Sequence, residues 1–282
     1  LRDVLSCHDP RILIHIGPLQ ESELDADVVC ALEERFGLIV DTFACAQSEA
    51  ESSTMRWMCG WDETCSEVLA PQVIVTAGLP PMDKTFRAQL SRSNVPHYHI
   101  GVEVHAWNVF GSPVNRWLTT PRAALAEMID AAPDVNAYAR SWSVRKSQLE
   151  MADKETHGDD WVDYEVFRWL SANLPGESRI HFANSTSARY AQWFDWNGNT
   201  LHANRGVAGI DGCLSTAVGD ALQNADAQTV LIAGDAAWLY DANGLHVNPR
   251  PEKLKVIVIN NGGGNIFRWL KGPAESLSLI HI

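Results

Sequence analysis

Basic residues are scarce in this chain of 282 residues. It contains 22 Lys and Arg against 35 Asp and Glu, so its formal net charge is -13 at pH 7. Nucleic acids are bound mainly by Lys and Arg that neutralise phosphates, and this charge therefore argues against a nucleic-acid partner. Hydrophobic residues make up 46% of the sequence, which is enough for buried cores. The composition predicts a globular protein rather than a disordered one.

Long hydrophobic runs are also missing. No stretch approaches the roughly 20 apolar residues that a membrane-spanning helix needs. The first residues, Leu1 to Val4, do not read as a signal peptide. From these two features we expect a cytoplasmic protein without a membrane span.

The six cysteines include no Cys-x-x-Cys pair. A chain of this length does not depend on disulfide bonds for its core, so we expect buried free thiols. His97 and His99 stand two residues apart, and we interpret this spacing as alternation along a β-strand rather than as part of a zinc site.

Short β-branched runs alternate with stretches of helical length, which is the pattern of a parallel sheet flanked by helices. In the first half we predict strands at 12–16, 38–40, 73–75 and 98–100, and helices at 21–36, 84–90 and 121–129. In the second half we predict strands at 180–182, 230–232 and 256–259, and helices at 162–174, 186–194 and 214–222. The predicted fold class is α/β, with two domains that each contain a mostly parallel sheet.

Residues 134–160 are polar and have no strand pattern. We therefore predict a polar linker there, between one domain at residues 1–133 and another at residues 161–282. Lys146 and Glu150 belong, in this interpretation, to a helix that faces solvent.

Polar residues follow two predicted strands of the second half. Asp235 comes directly after one of them, and Asn260 and Asn261 come after the other. Ligands of open α/β sheets bind beyond the carboxyl ends of the strands, so we expect Asp235 and Asn261 to meet. A carboxylate, an amide oxygen and a backbone carbonyl of the glycine turn are ligands that Mg²⁺ accepts beside phosphates and water. The segment predicts a Mg²⁺-diphosphate site.

Two structural roles are open for the same residues. Asp235 is a suitable helix N-cap, and Asn260 and Asn261 are typical turn residues. Neither role excludes binding of a metal ion.

A resemblance to known enzymes rests on the same segment. The pair Gly234-Asp235, followed roughly 25 residues later by Asn260-Asn261, resembles the motif of thiamine-diphosphate enzymes. Three longer segments, 184–189, 203–212 and 260–267, make the resemblance more specific. They are similar to 2-succinyl-5-enolpyruvyl-6-hydroxy-3-cyclohexene-1-carboxylate synthase, and the similarity runs from about Ile12 to Pro273.

The resemblance implies the following site residues. The metal, Mg²⁺ or Mn²⁺, would be held by Asp235, Asn261 and the carbonyl of Gly263. Thiamine diphosphate would contact Ile210, Gly234, Asp235, Ala236, Ala237 and Asn261. The substrates would contact Lys84, Ser185, Arg189, Arg205, Ile266, Phe267 and Leu270. The family often has a second basic residue after this lysine, where this chain has Thr85.

The resemblance also implies an activity and an assembly. The family is a transferase of menaquinone biosynthesis that decarboxylates 2-oxoglutarate and joins it to isochorismate, and we expect a homodimer or homotetramer at full length. The first domain would be the family's middle domain, and the second its diphosphate-binding domain in truncated form. The glutamate that activates the cofactor would lie in a pyrimidine-binding domain outside this chain. The catalytic residue is therefore unassigned, and we expect the fragment alone to be inactive.

The arginines fit this chemistry for an independent reason. Both implied substrates are dicarboxylates, and a chain of strongly negative charge must place Arg locally to bind them. Arg189 and Arg205 each stand on the loop side of a predicted strand. A surface salt bridge is the alternative role for either residue.

Three other functions compete with this interpretation. An acetolactate synthase or 2-oxoacid decarboxylase would share the general motif but not the segment 204–212. A nicotinamide-dependent oxidoreductase is suggested by the glycines at 262–264, although their spacing does not fit the dinucleotide-binding motif. A non-catalytic nucleotide-binding module is the third alternative.

Overall fold

The computed structural model describes residues 2–5, 7, 9–19, 24–44, 58, 61–102, 108–134, 136–153, 162–196 and 198–262. The chain divides into two compact units, Leu1–Gly158 and Asp159–Ile282. Both units are built on parallel sheets with helices packed against them. The predicted α/β fold class, with two mostly parallel sheets, is confirmed.

The first unit contains one five-stranded sheet. Its strands are β1 (Ile12–Ile16), β2 (Gly37–Val40), β3 (Val73–Ala77), β4 (His97–Ile100) and β5 (Val114–Trp117). Its helices are α1 (Arg2–Leu5), α2 (Ala26–Arg35), α3 (Glu63–Val68), α4 (Lys84–Ser93), α5 (Pro121–Ala131) and α6 (Ala137–Asp153). The strand order is β2-β1-β3-β4-β5, and every neighbouring pair is parallel.

Both faces of this sheet are buried, as parallel sheets require. Successive strand residues point to opposite faces, so Ile12, Ile14 and Ile16 pack in one apolar cluster. Leu13 points the other way, into a second cluster that contains Phe86. Burial of each such side chain stabilises the fold by about 1.5–3 kcal/mol.

The helix α6 differs from the predicted linker at 134–160. Tyr138 and Trp142 lie one helical turn apart, and both are buried in the apolar cluster of the first unit. The hydroxyl of Tyr138 donates to the carbonyl of Leu69 at 2.9 Å. Two aromatic residues at this spacing bury one face of an otherwise polar helix. The first two turns of α6 are therefore packed on the first unit, and the predicted domain bounds stay a prediction.

The second unit contains one four-stranded sheet. Its strands are β6 (Arg179–Phe182), β7 (Thr200–Ala203), β8 (Thr229–Gly234) and β9 (Leu254–Ile259). Its helices are α7 (Asp163–Asn173), α8 (Thr186–Ala191), α9 (Cys213–Gln223) and α10 (Asp235–Tyr240), followed by a 3₁₀ turn at Ala242–Leu245. The strand order is β7-β6-β8-β9, and all pairs are parallel.

The second sheet is also covered on both faces. On one face, Leu231 and Ala233 pack against Leu214 and Val218 of α9. On the other face, the ring of Phe182 packs edge-on against Trp196 at a centroid distance of 4.8 Å. These contacts hold the strand ends that carry the candidate site.

The strand order creates a topological switch point in the second sheet. From β6 the chain moves outward to β7 on one side, and it then returns to β8 on the other side of β6. The loops that leave β6 and β8 therefore run in opposite directions and open a crevice between their carboxyl ends. Ligands of open α/β sheets bind in this crevice.

Several local predictions are corrected by the structure. The helix α2 begins at Ala26, after the extended residue Asp25, rather than at Glu21. The short strands β5 and β7 were not predicted. Cys7 and Cys30 are exposed, so the expectation of buried thiols was wrong for them, whereas Cys213 is buried. Within the described ranges, no helix is long and apolar enough to cross a membrane.

Candidate functional site

The carboxyl edge of the second sheet brings together residues from four separate segments. The register pairs Phe182 with Ala203 and with Ile232, and it pairs Gly234 with Ile259. All four strands therefore end at the same edge. The residues that follow them are Asn204 and Arg205 after β7, Asn184 and Ser185 after β6, Asp235 after β8, and Asn260 and Asn261 after β9.

Asp235 is the first residue of α10 and is half-buried. The N-cap position belongs to Gly234, so the alternative role of Asp235 as N-cap is not what the structure shows. Its Oδ1 atom accepts a hydrogen bond from the backbone nitrogen of Ala236 at 2.7 Å. A carboxylate in the first turn is stabilised by the helix dipole. This hydrogen bond holds the side chain of Asp235 at the end of β8.

Asn261 is held by a residue that the sequence did not indicate. Its Nδ2 atom donates to Oδ2 of Asp163, at the start of α7, over 3.1 Å. This bond identifies the nitrogen end of the amide, so Oδ1 is the end of Asn261 that can accept a hydrogen bond or bind a cation. Asp163 stands 98 residues earlier in the chain, and no local pattern connects the two.

Burial and the charge of Asp163 together raise the pKa of Tyr190 nearby.

Asn184 lies at the end of β6 and is only 2% exposed. Its Nδ2 atom donates to the carbonyl oxygens of Asn204 and Gly209, both at 2.7 Å. Its Oδ1 atom accepts from Nη1 of Arg205 at 2.7 Å. The sequence motif contained Asn184, but its spacing gave no sign of these contacts. One buried amide thus joins β6 to the loop that follows β7.

The two candidate arginines lie in different surroundings. Arg205 is half-exposed in the loop after β7 and is bonded to Asn184. Arg189 lies in α8, within the helix predicted at 186–194, and its Nε atom is buried without a hydrogen-bond partner in the described part of the chain. A buried donor atom of a charged group destabilises the folded state by about 1–3 kcal/mol or more when it has no hydrogen-bond partner. The site therefore has a cationic donor that is suited to a carboxylate ligand.

Two residues near this edge have backbone angles that side chains disfavour. Ser185 has φ 76° and ψ -127°, and Ala208 has φ 61°. Such conformations cost about 1–3 kcal/mol and persist where the surrounding structure imposes them. At Ser185 the neighbouring Asn184 and the first turn of α8 hold the chain. Strain at a strand end of this kind is typical of ligand-binding sites.

The segment 204–212 is braced by further contacts. Nδ2 of Asn204 donates to the carbonyl of Gly212 at 3.2 Å and to Oγ1 of Thr216 at 3.0 Å. Gly212 has φ 69°, a conformation that favours glycine. Ile210 is half-exposed within this segment and packs against the apolar cluster below the sheet. The backbone on both sides of Ile210 is therefore held in place.

The start of α9 is capped by an acidic residue from another element. Asp241 accepts two hydrogen bonds from Ser215, one from the backbone nitrogen and one from Oγ, both at 2.7 Å. A carboxylate at a helix N-terminus satisfies free N–H groups and complements the helix dipole. This contact fastens the segment after α10 to α9.

A second polar cluster lies near the start of β6 and is charge-balanced. His181, His202 and Asp220 have ligand atoms within 4.8 Å of one another, as in a metal site. Arg179, however, donates to Asp220 at 2.7 Å and contacts Nε2 of His202 at 3.1 Å, so a guanidinium already bonds two of these three residues. Burial lowers the pKa of His202 to about 4. Partial burial opposes ionisation of Asp220, but bonds from Arg179 and His181 lower its pKa to about 2.

Comparison with known proteins identifies the family. No protein-family model matches the chain. A protein of Flavobacterium psychrophilum, named 2-succinyl-5-enolpyruvyl-6-hydroxy-3-cyclohexene-1-carboxylate synthase, is 33% identical over 213 residues. The alignment covers 73% of this chain and 38% of that protein. The protein of that name from Porphyromonas gingivalis is 28% identical over 283 residues, which cover 94% of this chain and 48% of the relative. The chain belongs to this synthase family.

The chain spans less than half the length of the relatives that it matches. A third relative of the same name, from Synechococcus elongatus, is 33% identical over 210 residues, which cover 72% of this chain and 35% of that protein. The family resemblance read from the sequence motifs is confirmed by these identities. The two parallel α/β units are consistent with a thiamine-diphosphate enzyme fold.

Some family positions lie in the first unit, in α10 or outside the described residues. Gly263, Ile266, Phe267 and Leu270 lie outside the residues that the structure describes. Lys84 is exposed at the first position of α4, in the first unit. Ala236 and Ala237 form the first turn of α10 next to Asp235, with Ala237 buried.

Proposed function

We propose that this chain supplies the diphosphate- and metal-binding part of a thiamine-diphosphate-dependent transferase of menaquinone biosynthesis. The full-length enzyme decarboxylates 2-oxoglutarate and joins it to isochorismate, which gives 2-succinyl-5-enolpyruvyl-6-hydroxy-3-cyclohexene-1-carboxylate. The observation that carries this proposal is the position of Asp235 and Asn261 after two neighbouring parallel strands, in a chain of the synthase family.

The residues at this edge fit the metal and the cofactor. The carboxylate of Asp235, Oδ1 of Asn261 and the carbonyl of Gly263 are hard oxygen donors, which suit Mg²⁺ or Mn²⁺ with diphosphate oxygens as further ligands. Asp163 orients Asn261 for this purpose. The turn formed by Gly234, Ala236 and Ala237 would face the diphosphate, and Ile210 would support the cofactor from the segment 204–212. When bound, thiamine diphosphate supplies the electron sink for decarboxylation and carbon-carbon bond formation.

Arg189 and Arg205 bind the carboxylates of the substrates in this proposal. The Nε atom of Arg189 supports this role independently, because it is a buried donor with no acceptor among the described residues. A substrate carboxylate would supply that acceptor. Ser185 adds a hydroxyl donor at the end of β6. Lys84, Ile266, Phe267 and Leu270 are proposed to complete the substrate site.

The assembly and the activating group are proposed from the family resemblance. We propose a cytoplasmic homodimer or homotetramer at full length, which sedimentation of the full-length protein would test. The group that activates the cofactor is not assigned to any residue of this chain. We therefore expect the 282-residue chain alone to show no synthase activity, and measurable turnover by the purified chain would contradict this.

The test of the function uses the full-length protein that contains this chain. It is incubated with thiamine diphosphate, Mg²⁺, isochorismate and either 2-oxoglutarate or pyruvate, and the products are identified by mass spectrometry. We expect the succinyl product from 2-oxoglutarate, and we expect its loss after chelation of the metal and its recovery when Mg²⁺ is restored. Preference for pyruvate would instead indicate an acetolactate synthase or decarboxylase. Cofactor binding without turnover would indicate a non-catalytic module.

A further inference from the structure

We propose that Asn184 is a positioning residue that holds Arg205 and the backbone next to Ile210 in a single arrangement. This inference rests on the proposed function, in which Arg205 binds substrate and Ile210 supports the cofactor. The carbonyl bonded by Asn184 belongs to Gly209, the residue directly before Ile210. One side chain thus connects the part of the loop that contacts substrate with the part that contacts the cofactor.

The hydrogen bonds of Asn184 allow only one orientation of its amide. Its nitrogen faces two carbonyl oxygens, those of Asn204 and Gly209, and its oxygen faces the guanidinium of Arg205. A reversed amide would place oxygen against two acceptors and nitrogen against a donor, so all three contacts would become repulsive. Because the side chain is 2% exposed, water does not replace these bonds.

Among the described residues, the other asparagine of this loop is already engaged elsewhere. The amide of Asn204 is bonded to Gly212 and Thr216. Without the Asn184 amide, the carbonyls at both ends of the 204–209 turn would lose a donor, and the guanidinium of Arg205 would lose an acceptor. Arg205 would then lose one of the contacts that orient it, and binding of the substrate carboxylate would have to restore that order.

The variant Asn184→Asp separates positioning from general stability. It keeps the size of the side chain and an acceptor for Arg205, but it removes both donors and adds a negative charge beside the guanidinium. That charge competes with the substrate carboxylate for Arg205. The 204–209 turn also loses the two hydrogen bonds that Asn184 donates to the carbonyls at its ends. We expect the KM for 2-oxoglutarate to rise by roughly tenfold or more, with a smaller change in kcat.

A matched control is available at the opposite end of the same sheet. Asn199 precedes β7, donates from Nδ2 to the carbonyl of Trp196 and accepts from the backbone nitrogen of Ser178 at 2.7 Å. Asn199→Asp makes the same chemical change in an asparagine that holds the chain just before β7. This position is at the end of the strand opposite to the candidate site. We expect it to lower stability without changing the KM.

The decisive experiment is a double-mutant cycle in the full-length protein. Asn184→Asp, Arg205→Ala and the double variant are compared for kcat and KM with 2-oxoglutarate, and hydrogen exchange is followed in residues 204–212. If Asn184 acts through Arg205, the KM effect of Asn184→Asp disappears in the Arg205→Ala background. Exchange in 204–212 should increase in Asn184→Asp and not in Asn199→Asp. Should Asn184→Asp not fold, Asn184→Ser keeps one donor and is expected to give an intermediate effect.

The outcomes distinguish this inference from the proposed function. Independent effects of the two substitutions on KM, with unchanged exchange in 204–212, would overturn the role of Asn184 while the synthase activity stands. If the wild-type protein neither binds thiamine diphosphate with Mg²⁺ nor turns over 2-oxoglutarate, the proposed function fails. In that case, faster exchange in 204–212 on substitution of Asn184 alone would still support its control of the turn, and unchanged exchange would refute it.

Discussion

Both sheets have a switch point in their strand order, but the contacts and side chains at the two switch points differ. In the first sheet the crevice between β1 and β3 is closed by backbone contacts, since Leu79 donates to the carbonyl of Pro18 at 3.1 Å. A methyl group at Gly17 would come within 1.8 Å of the carbonyl oxygen of Leu79. In the second sheet, the corresponding position between β6 and β8 carries Asn184, Ser185 and Asp235. The two switch points thus share a topology but differ in the groups that they present.

This comparison shows that topology alone does not locate a functional site in this chain. Fold alone does not assign a site, because both units are parallel sheets with a strand-order reversal. In the proposed function, the side chains that follow the strands make only the second of these edges a binding site. Substitutions at the second edge should therefore affect ligands strongly.

The largest effect is expected from Asp235→Ala. Loss of a charged ligand of the divalent cation should weaken binding of thiamine diphosphate with Mg²⁺ by at least roughly a hundredfold. Titration calorimetry on the full-length protein measures this directly. Asp226→Ala removes an exposed carboxylate of the same unit and should leave the affinity unchanged. Wild-type affinity in both variants would mean that the cofactor does not use this edge.

The next largest effect is expected from Arg205→Ala. A charge-assisted hydrogen bond contributes roughly 1.5–3 kcal/mol, so kcat/KM for 2-oxoglutarate should fall about ten- to a hundredfold. The affinity for the cofactor should change little, because Arg205 is assigned to substrate. Arg250→Ala, an exposed arginine of the same unit, serves as the control. Weakened cofactor binding with normal kcat/KM would reverse the assignment.

The buried histidines give a prediction about acid stability. Burial, together with the charge of His97 when protonated, lowers the pKa of His15 to about 3, and burial with the charge of His99 lowers that of His97 to about 4. In the unfolded chain these groups take up protons near pH 6.5. As pH falls below that value, protonation favours the unfolded state, so stability is lost toward pH 4. Burial also lowers the pKa of His181 and His202 in the second sheet, but the charge of Asp220 opposes the shift there. His15 has no hydrogen-bond partner in the described chain.

The variant His15→Leu tests this difference between the sheets. When the pH is lowered from 7 to 5, the free energy of unfolding of the first unit, measured in urea, should decrease. This decrease should be about 1–2 kcal/mol smaller in the variant than in the wild type. His246→Gln changes an exposed histidine of the second unit and serves as the matched control. Equal pH dependence in His15→Leu and the wild type would show that His15 is not the group responsible.

The smallest effect is expected from relief of backbone strain. Ser185→Gly removes the cost of a positive φ, and it should raise the free energy of unfolding of the second unit by about 1 kcal/mol. It should also lower kcat/KM, because the hydroxyl at the end of β6 is lost. Ala208→Gly is the matched change at an exposed position and should raise stability without loss of activity. If Ser185→Gly leaves kcat/KM unchanged, Ser185 does not contact substrate.

Elements with strong local signals could be predicted from the sequence. The helix α5 begins at Pro121 as expected, with the hydroxyl of Thr120 accepting from the nitrogen of Ala123. The buried strands β1 and β3 have continuous apolar runs and were also predicted. The edge strands β5 and β7 were missed, because half-exposed strands of four residues with mixed side chains have no periodic pattern.

The site was only partly predictable, for a related reason. Asp235 and Asn261 could be placed at one edge because parallel strands bring their carboxyl ends together, and the strand pattern of both was visible. Asp163 could not be connected with Asn261, since 98 residues separate them. The bonds of Asn184 to a loop 20 to 25 residues away were likewise invisible in the motif.

The sequence by itself determined the α/β class, the family and the strand ends that carry Asp235 and Asn261, because these follow from periodicity and short motifs. Only the tertiary structure decided that α6 packs on the first unit, that the first switch point is closed, and which partners orient Asn261 and Arg205. Those features depend on contacts between segments distant in the chain. Their free energy comes from burial and hydrogen-bond geometry, which residue order alone does not reveal.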